Sequence, residues 1–309
     1  MHFAMSSRNA LQAFYLARSG VNVGEALLVQ DAKLNHNDSD EDIWARPLPP
    51  LPVGDGTVAL RVQDEARRLN LNMLSSNPSR ALPIFARLFE MLGIDKRVLA
   101  AIADWIDGDD IPGTDPPGAE KAYYLGLTPP VTIRNGPMLT MRELLQVRGM
   151  TPTMFARLEA FVTVLPTKDP GGLKVNVNTA PAEVLYALSA GLTADPGVVN
   201  RLIAARREQP ITILPDDLKE VTGFMPALRD AIRGDDNLDL LDVKSSYFRI
   251  EAVGEVNDVA RGITAIVGRN VGVGRSLKRI TWAPSAANLS LTSQPPSDFL
   301  DTLPPLGGN

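Results

Sequence analysis

The sequence predicts an α+β fold: an N-terminal helix packed on an antiparallel sheet, with a large α-helical insertion. Three observations carry this reading. A proline-free amphipathic stretch opens the chain, β-type segments stand on both sides of the middle, and the middle is a run of short helical segments.

From about Ser6 to Lys33, residues Leu11, Phe14, Tyr15, Ala17, Val21, Ala26 and Leu28 recur at three- and four-residue steps and give one apolar face. Gly20 and Gly24 weaken this helix, each by roughly 1 kcal/mol relative to alanine. A polar, acidic stretch from Leu34 to Asp42 ends it, and the prolines at 47, 49, 50 and 52 make the following segment loop or extended chain. Thr57–Asp64 alternates with Val58, Leu60 and Val62 on one face, which predicts a strand, and Leu69–Met73 reads as a short second one. Seven helices are predicted next, over Ala81–Leu92, Lys96–Trp105, Leu139–Val147, Thr153–Val162, Pro181–Leu188, Pro196–Arg207 and Leu214–Val221. Strands return at Ser246–Glu255, Ala260–Asn270 and Leu277–Trp282 as an antiparallel meander. The expected division is therefore 1–75 and 236–285 for the helix-and-sheet core, 76–235 for the insertion, and 286–309 for a disordered tail rich in Pro, Ser and Gly.

The totals limit the chemistry. Of 309 residues 44% are hydrophobic and 22% charged, enough for a sizeable core under an ordinary soluble surface. A net charge of −5 argues against a broad nucleic-acid footprint. The absence of cysteine removes disulfides, thiolate nucleophiles and thiolate metal sites. The two histidines, His2 and His36, read as surface residues and offer no basis for a triad or a histidine metal site. The P-loop, G-x-S-x-G and H-E-x-x-H signatures are missing, Gly254 and Gly268–Gly274 do not form a dinucleotide loop, and Gly-Val-Gly at 272–274 reads as a hairpin. The chain is expected not to be an enzyme.

Three motifs stand out. Asp104, Asp107, Asp109, Asp110, Asp115 and Glu120 place six carboxylates within 17 residues, interrupted by Gly and Pro. Oxygen-rich loops of this kind suit Ca²⁺, although the spacing is not that of an EF-hand, and a solvated acidic loop is the plain alternative. In Lys174–Leu185, Val175 and Val177 point one way and Asn176 and Asn178 the other. The asparagines read as satisfying the backbone of a sharp turn, with Asn178 or Thr179 capping the next helix. Around Leu145–Leu158 and Val184–Leu202 the pattern looks like helix-hairpin-helix repeats, a DNA-binding or DNA-uptake module that grips phosphates with backbone amides. Here Asp195 sits between the glycines, where it would repel phosphate.

Taken in order, "ALQAFYLARSGVNVGEALL" (10–28), "ADWIDGDD" (103–110), "GAEKAYY" (118–124), "LLQVRGM" (144–150) and "VNVNTAPAEVLYAL" (175–188) resemble the K subunit of the type II secretion minor pseudopilins. The resemblance implies a pilin-like core carrying the helical insertion. It implies assembly at the filament tip with the minor pseudopilins I and J, priming and capping the pseudopilus for protein export, with secreted substrate or the outer-membrane channel as further partners. Candidate contacts with I and J are Leu11, Phe14, Tyr15, Val21 and Leu28. It implies a hydrophobic helix of about 20 residues and a prepilin signal ahead of Ser6, single-pass in the inner membrane with this portion in the periplasm, and Met1–Met5 as an addition. It also implies Ca²⁺ in the insertion, carried over here to the six carboxylates named above.

Overall fold

The computed structural model describes residues 2–113, 115–167, 174–229, 237–269 and 277–287. Helix α1 (His2–Asp31) lies on a five-stranded antiparallel sheet of order β1-β2-β7-β8-β9, built from β1 (Leu51–Val53), β2 (Gly56–Asp64), β7 (Tyr247–Val256), β8 (Val259–Arg269) and β9 (Leu277–Ser285). Between β2 and β7 runs the helical unit. It comprises β3 (Leu69–Asn70), α2 (Met73–Ser76), α3 (Pro78–Met91), α4 (Lys96–Ile106), α5 (Lys121–Leu125) and α6 (Pro152–Leu158). It continues through β4 (Val162–Thr163), β5 (Val175–Asn176), α7 (Ala182–Ala187), α8 (Ala190–Ala194), α9 (Pro196–Glu208), α10 (Asp216–Glu220), α11 (Phe224–Leu228) and β6 (Leu241–Asp242).

The buried stripe of α1 is Ala13, Ala17, Gly20, Val21, Gly24 and Leu28. Its small residues let the helix backbone approach the sheet closely. A Cβ at Gly20 would stand 2.8 Å from Val58 Cγ2, and one at Gly24 would stand 2.8 Å from Ile250 Cγ2. Across the seam, a Cβ on Gly254 would stand 2.6 Å from the Ala17 amide nitrogen. The two helix glycines thus do more than weaken α1; they set its distance from the sheet. The same packing corrects two of the expected partner contacts. Val21 and Leu28 are fully buried against the chain's own sheet, whereas Leu11 (57% exposed) and Tyr15 (55%) face outward and Phe14 is half-buried.

The long strands pair in continuous register, from Gly56↔Val256 to Asp64↔Phe248 and from Tyr247↔Gly268 to Val256↔Val259. The β7–β8 hairpin turns through Asn257 and Asp258, both at positive φ, as a two-residue turn matched to the strand twist demands. Leu51–Val53, expected to be loop or extended chain because of its prolines, is an extended edge strand, where Pro52 needs no ladder donor. The last strand, expected to end at Trp282, continues through Ala283–Ser285 as part of β9 against β8. The Gly-Val-Gly hairpin at 272–274 and the tail from 288 lie outside the described residues.

Helix positions in the insertion follow the sequence pattern, with Leu139–Val147 realised as a 3₁₀ turn over Met141–Gln146. Sequence periodicity passed over α2, α5, α8 and α11, which have only four or five residues each, too short to show a period. The unit has its own core of large side chains, among them Phe85, Phe89, Trp105, Tyr124 and Phe224. Leu69, Leu71, Met73 and Leu74 at the entry, and Leu240, Leu241 and Val243 at the exit, pack into that core rather than onto the sheet. The packing boundaries therefore fall outside the expected 76 and 235. Parallel pairs fasten each end: β3 to β4 and β5 to β6.

The neck between the two cores is polar and buried. Asp64, the last residue of β2, accepts from the Ala66 amide, from Asn176 Nδ2 at 3.0 Å and from Thr179 Oγ1 at 2.5 Å. Asn176 Nδ2 also reaches the Asp38 carbonyl and Ser245 Oγ. Beside it, the fully buried Glu65 accepts from Arg68 at 2.8 Å, Arg249 at 2.6 Å and Thr163 Oγ1 at 2.5 Å. As expected, Asn176 satisfies a turn, accepting from the Asn178 amide. The capping expectation is corrected: Pro181 precedes α7 as its cap, Thr179 donates to Asp64, and Asn178 bonds both ways with the backbone of Ile211.

Candidate metal centre

Helix α4 is strongly amphipathic and capped by Asp95, whose side chain accepts from the Arg97 amide. Its last turn carries Asp104 inward beside Trp105. The chain leaves the helix at Asp107, and the loop from Gly108 returns to deliver Glu120 at the start of α5. As a result one carboxylate oxygen each from Asp104, Asp107 and Glu120 lie within 4.8 Å of one another. Asp104 and Glu120 are buried, and Asp107 is half-buried.

Local packing holds the group together. Both oxygens of Asp104 accept from the Gly113 amide at 3.2 Å. Gly118 lies directly against the Asp104 carboxylate, where any side chain would collide with it. The Gly118 carbonyl accepts from Arg148 Nη1 at 3.1 Å, and that guanidinium stacks over Tyr123. Tyr124, fully buried, meets Trp105 edge-on at 5.0 Å and accepts from the Arg148 amide through its hydroxyl. The aromatic pair thus braces the two ends of the loop.

The electrostatics are those of a cluster short of positive charge. Both oxygens of Glu120 and Oδ1 of Asp107 are buried without a hydrogen-bond partner. Burial, followed by the charges of Asp107 and Asp104, pushes Glu120 up to about 7. Burial, followed by Asp109 and Asp104, pushes Asp107 up to about 6, and burial raises Asp104 as well. Groups in this state are protonated or joined by a cation. The donor set, all carboxylate oxygen, fits a hard ion such as Ca²⁺ and no soft metal.

Of the six carboxylates read from the sequence, three converge and three do not. Asp109, Asp110 and Asp115 are exposed. Asp109 accepts from the Ile111 amide, and Asp110 accepts from Asn135 Nδ2 at 3.1 Å, so both shape the loop. Sequence reading missed Gly113, whose amide positions Asp104, and Asn135, whose positive φ lets its amide reach across the loop. The glycines that interrupt the acidic run were the available signal, since glycine permits the close approach that Gly118 makes to Asp104.

A repeated glycine turn is present, but its second copy falls at Leu218–Gly223, outside the expected Val184–Leu202. Leu144-x-x-Val147-x-Gly149 and Leu218-x-x-Val221-x-Gly223 repeat one turn, with glycine φ values of 81° and 84° and amides of Met150 and Phe224 donating to Val147 and Val221. Those amides are spent inside the turns. Arg201 donates to the Thr222 carbonyl and pairs with Asp195. The DNA-binding alternative gains nothing from this arrangement.

A pilin-like helix on a sheet, split by a helical unit with its own acidic loop, defines the class. Family models described as "Type II secretion system (T2SS), protein K" match residues 67–167 and 175–224. The type II secretion system protein K of Aeromonas hydrophila is 33% identical over 277 residues, 84% of this chain and 81% of that protein. That of Klebsiella pneumoniae is 30% identical over 210 residues, 63% of each chain. A chain of the GspK-GspI-GspJ complex from enterotoxigenic Escherichia coli shares the fold with a TM-score of 0.72 at 20% identity, covering 92% of this chain and 99% of that one. This chain belongs to the type II secretion system protein K family.

Proposed function

We propose that this protein is a minor pseudopilin at the tip of the type II secretion pseudopilus, joining the I and J minor pseudopilins to prime and cap the filament, without catalytic activity of its own. The observation that carries this is the division of labour on α1. One face is consumed by the sheet, while Leu11 and Tyr15 stay exposed on another, ready for helix-to-helix burial. The solved relative was crystallised with two such partners, GspI and GspJ. The helical unit, inserted at one end of the sheet, supplies the bulk that blocks addition of a further subunit above it.

The chain works on the periplasmic side of the inner membrane. Among the described residues no helix is long and apolar enough to cross a bilayer. Asp104, Asp107 and Glu120 hold a Ca²⁺ that fixes the α4–α5 loop. Co-elution with soluble I and J subunits at tens of micromolar is the test. A ternary complex that survives gel filtration, and is lost in Leu11→Glu/Tyr15→Glu, supports the reading; three separate peaks with the unaltered chain sink it.

A further inference from the structure

A second acidic group lies far from the α4–α5 loop in sequence, where α1 gives way to the chain that follows it. One carboxylate oxygen each of Asp31, Asp38 and Asp42 lie within 4.8 Å of one another. Arg269, at the end of β8, balances part of this charge. Its Nη1 donates to Asp31 Oδ2 at 3.2 Å, and its Nη2 donates to Asp38 Oδ2 and to the Ser245 carbonyl. The Ser245 amide also donates to Asp38 Oδ2, at 2.8 Å.

These bonds engage one oxygen each of Asp31 and Asp38 and neither oxygen of Asp42. Asp38 is 1% exposed, and its Oδ1 is buried with no hydrogen-bond partner. One amide bridges the other two acids: Asn35 Nδ2 donates to Asp31 Oδ1 at 3.3 Å and to Asp42 Oδ1 at 2.9 Å. Asp42 further accepts from the Ser39 amide at 2.8 Å and from Ser39 Oγ at 3.4 Å. Burial, then Asp42 and Asp38, push Asp31 up to about 6 in spite of the arginine. Three carboxylates facing one guanidinium leave negative charge in excess, and the orphaned Asp38 oxygen is the buried group that bears the cost.

We propose that Asp31, Asp38 and Asp42 form an oxygen-donor site for a divalent cation, with Asn35 as a fourth ligand. Nitrogen and oxygen of the Asn35 amide exchange by a half-turn, which replaces a donor bridging two carboxylates with an acceptor facing the ion. Ca²⁺ suits the site better than Mg²⁺, because its ligand number and distances are permissive and Mg²⁺ demands a near-ideal octahedron. The ion joins the last residue of α1 to the loop that carries Asp38, and through Arg269 to β8. It is independent of the Asp104–Asp107–Glu120 group.

Calorimetric titration of the metal-free chain with CaCl₂ tests this. Two equivalents are expected for the unaltered protein. Asp107→Asn should lose one and Asp38→Asn the other, each keeping its partner site. A single equivalent lost in Asp107→Asn and untouched by Asp38→Asn overturns the second site while upholding the first; a single equivalent with the reverse pattern does the opposite. Absence of heat in the unaltered chain overturns it too. Asp38 also holds Arg269, so Asp42→Asn, checked for native circular dichroism, serves if Asp38→Asn does not fold. Retention of both equivalents in folded Asp42→Asn overturns the proposal.

Discussion

The neck and the α4–α5 loop each bury a glutamate and treat it in opposite ways. Glu65 sits between Arg68 and Arg249 and accepts a hydroxyl from Thr163. Burial alone would raise its pKa, but Arg249 and Arg68 outweigh that and hold it near 2. Glu120 has carboxylates for neighbours, and its pKa stands at about 7. A buried acid supplied with side-chain cations is part of the architecture. One with acids for company stays protonated or takes a cation from outside. The Asp31–Asp38–Asp42 group falls between these extremes, with one arginine for three acids.

The sharpest way to break this contrast is to remove each acid in turn. Glu65→Ala leaves Arg68 and Arg249 buried without their counter-charge and should cost about 3 kcal/mol of unfolding free energy, read by urea denaturation, with no dependence on Ca²⁺. A loss under about 1 kcal/mol would show the neck to be solvated. The next effect is in pH. Glu120 and Asp107 have raised folded pKa values, so their contribution favours folding below about 4.5 and about 4, their unfolded values, and is lost as pH rises toward 7. The melting temperature of the metal-free chain should therefore fall between pH 5 and 8, and Ca²⁺ should restore it more at pH 8 than at pH 5. Glu65, with its lowered value, contributes above about 4.5 and loses that contribution as pH drops toward 2, on the other side of the profile.

Asp107→Asn sharpens the comparison further. Without metal it removes a repulsive charge and should raise stability by a few tenths to about 1 kcal/mol, the reverse of the Glu65 result. With Ca²⁺ the variant should gain only what binding at the Asp31–Asp38–Asp42 group supplies, less than the unaltered chain gains. Last in size, Leu11→Ser/Tyr15→Ser should change stability by no more than about 0.5 kcal/mol yet abolish co-elution with the partner subunits. A large loss of stability would mean that these side chains serve the chain's own core.

The outline of the fold was legible because it rests on periodicity. The α1 stripe and the alternation in β2, β7 and β8 are local patterns, and their boundaries shift by only a residue or a few. What periodicity could not convey was which part of the apolar stripe is consumed internally. Val21 and Leu11 look alike in sequence, and only the packed structure shows that Val21 joins the buried cluster with Leu60, Ile250 and Ala252 while Leu11 stays exposed. The acidic loop was visible as composition, but selecting Asp104, Asp107 and Glu120 needed the return of the chain over Gly113 and Gly118. The neck was the least legible part. Asp64, Asn176 and Ser245 are 112 and 69 positions apart, and no short-range pattern joins them.

That neck has a mechanical consequence. Three separate passages of chain, after α1, after β2 and before β7, are cross-tied through the one amide of Asn176, and a parallel strand pair braces each end of the insertion. The joint resists shear in every direction in which one passage could slip past another. Shifting α1 against the helical unit therefore breaks bonds buried at this neck, so the two parts keep one mutual setting.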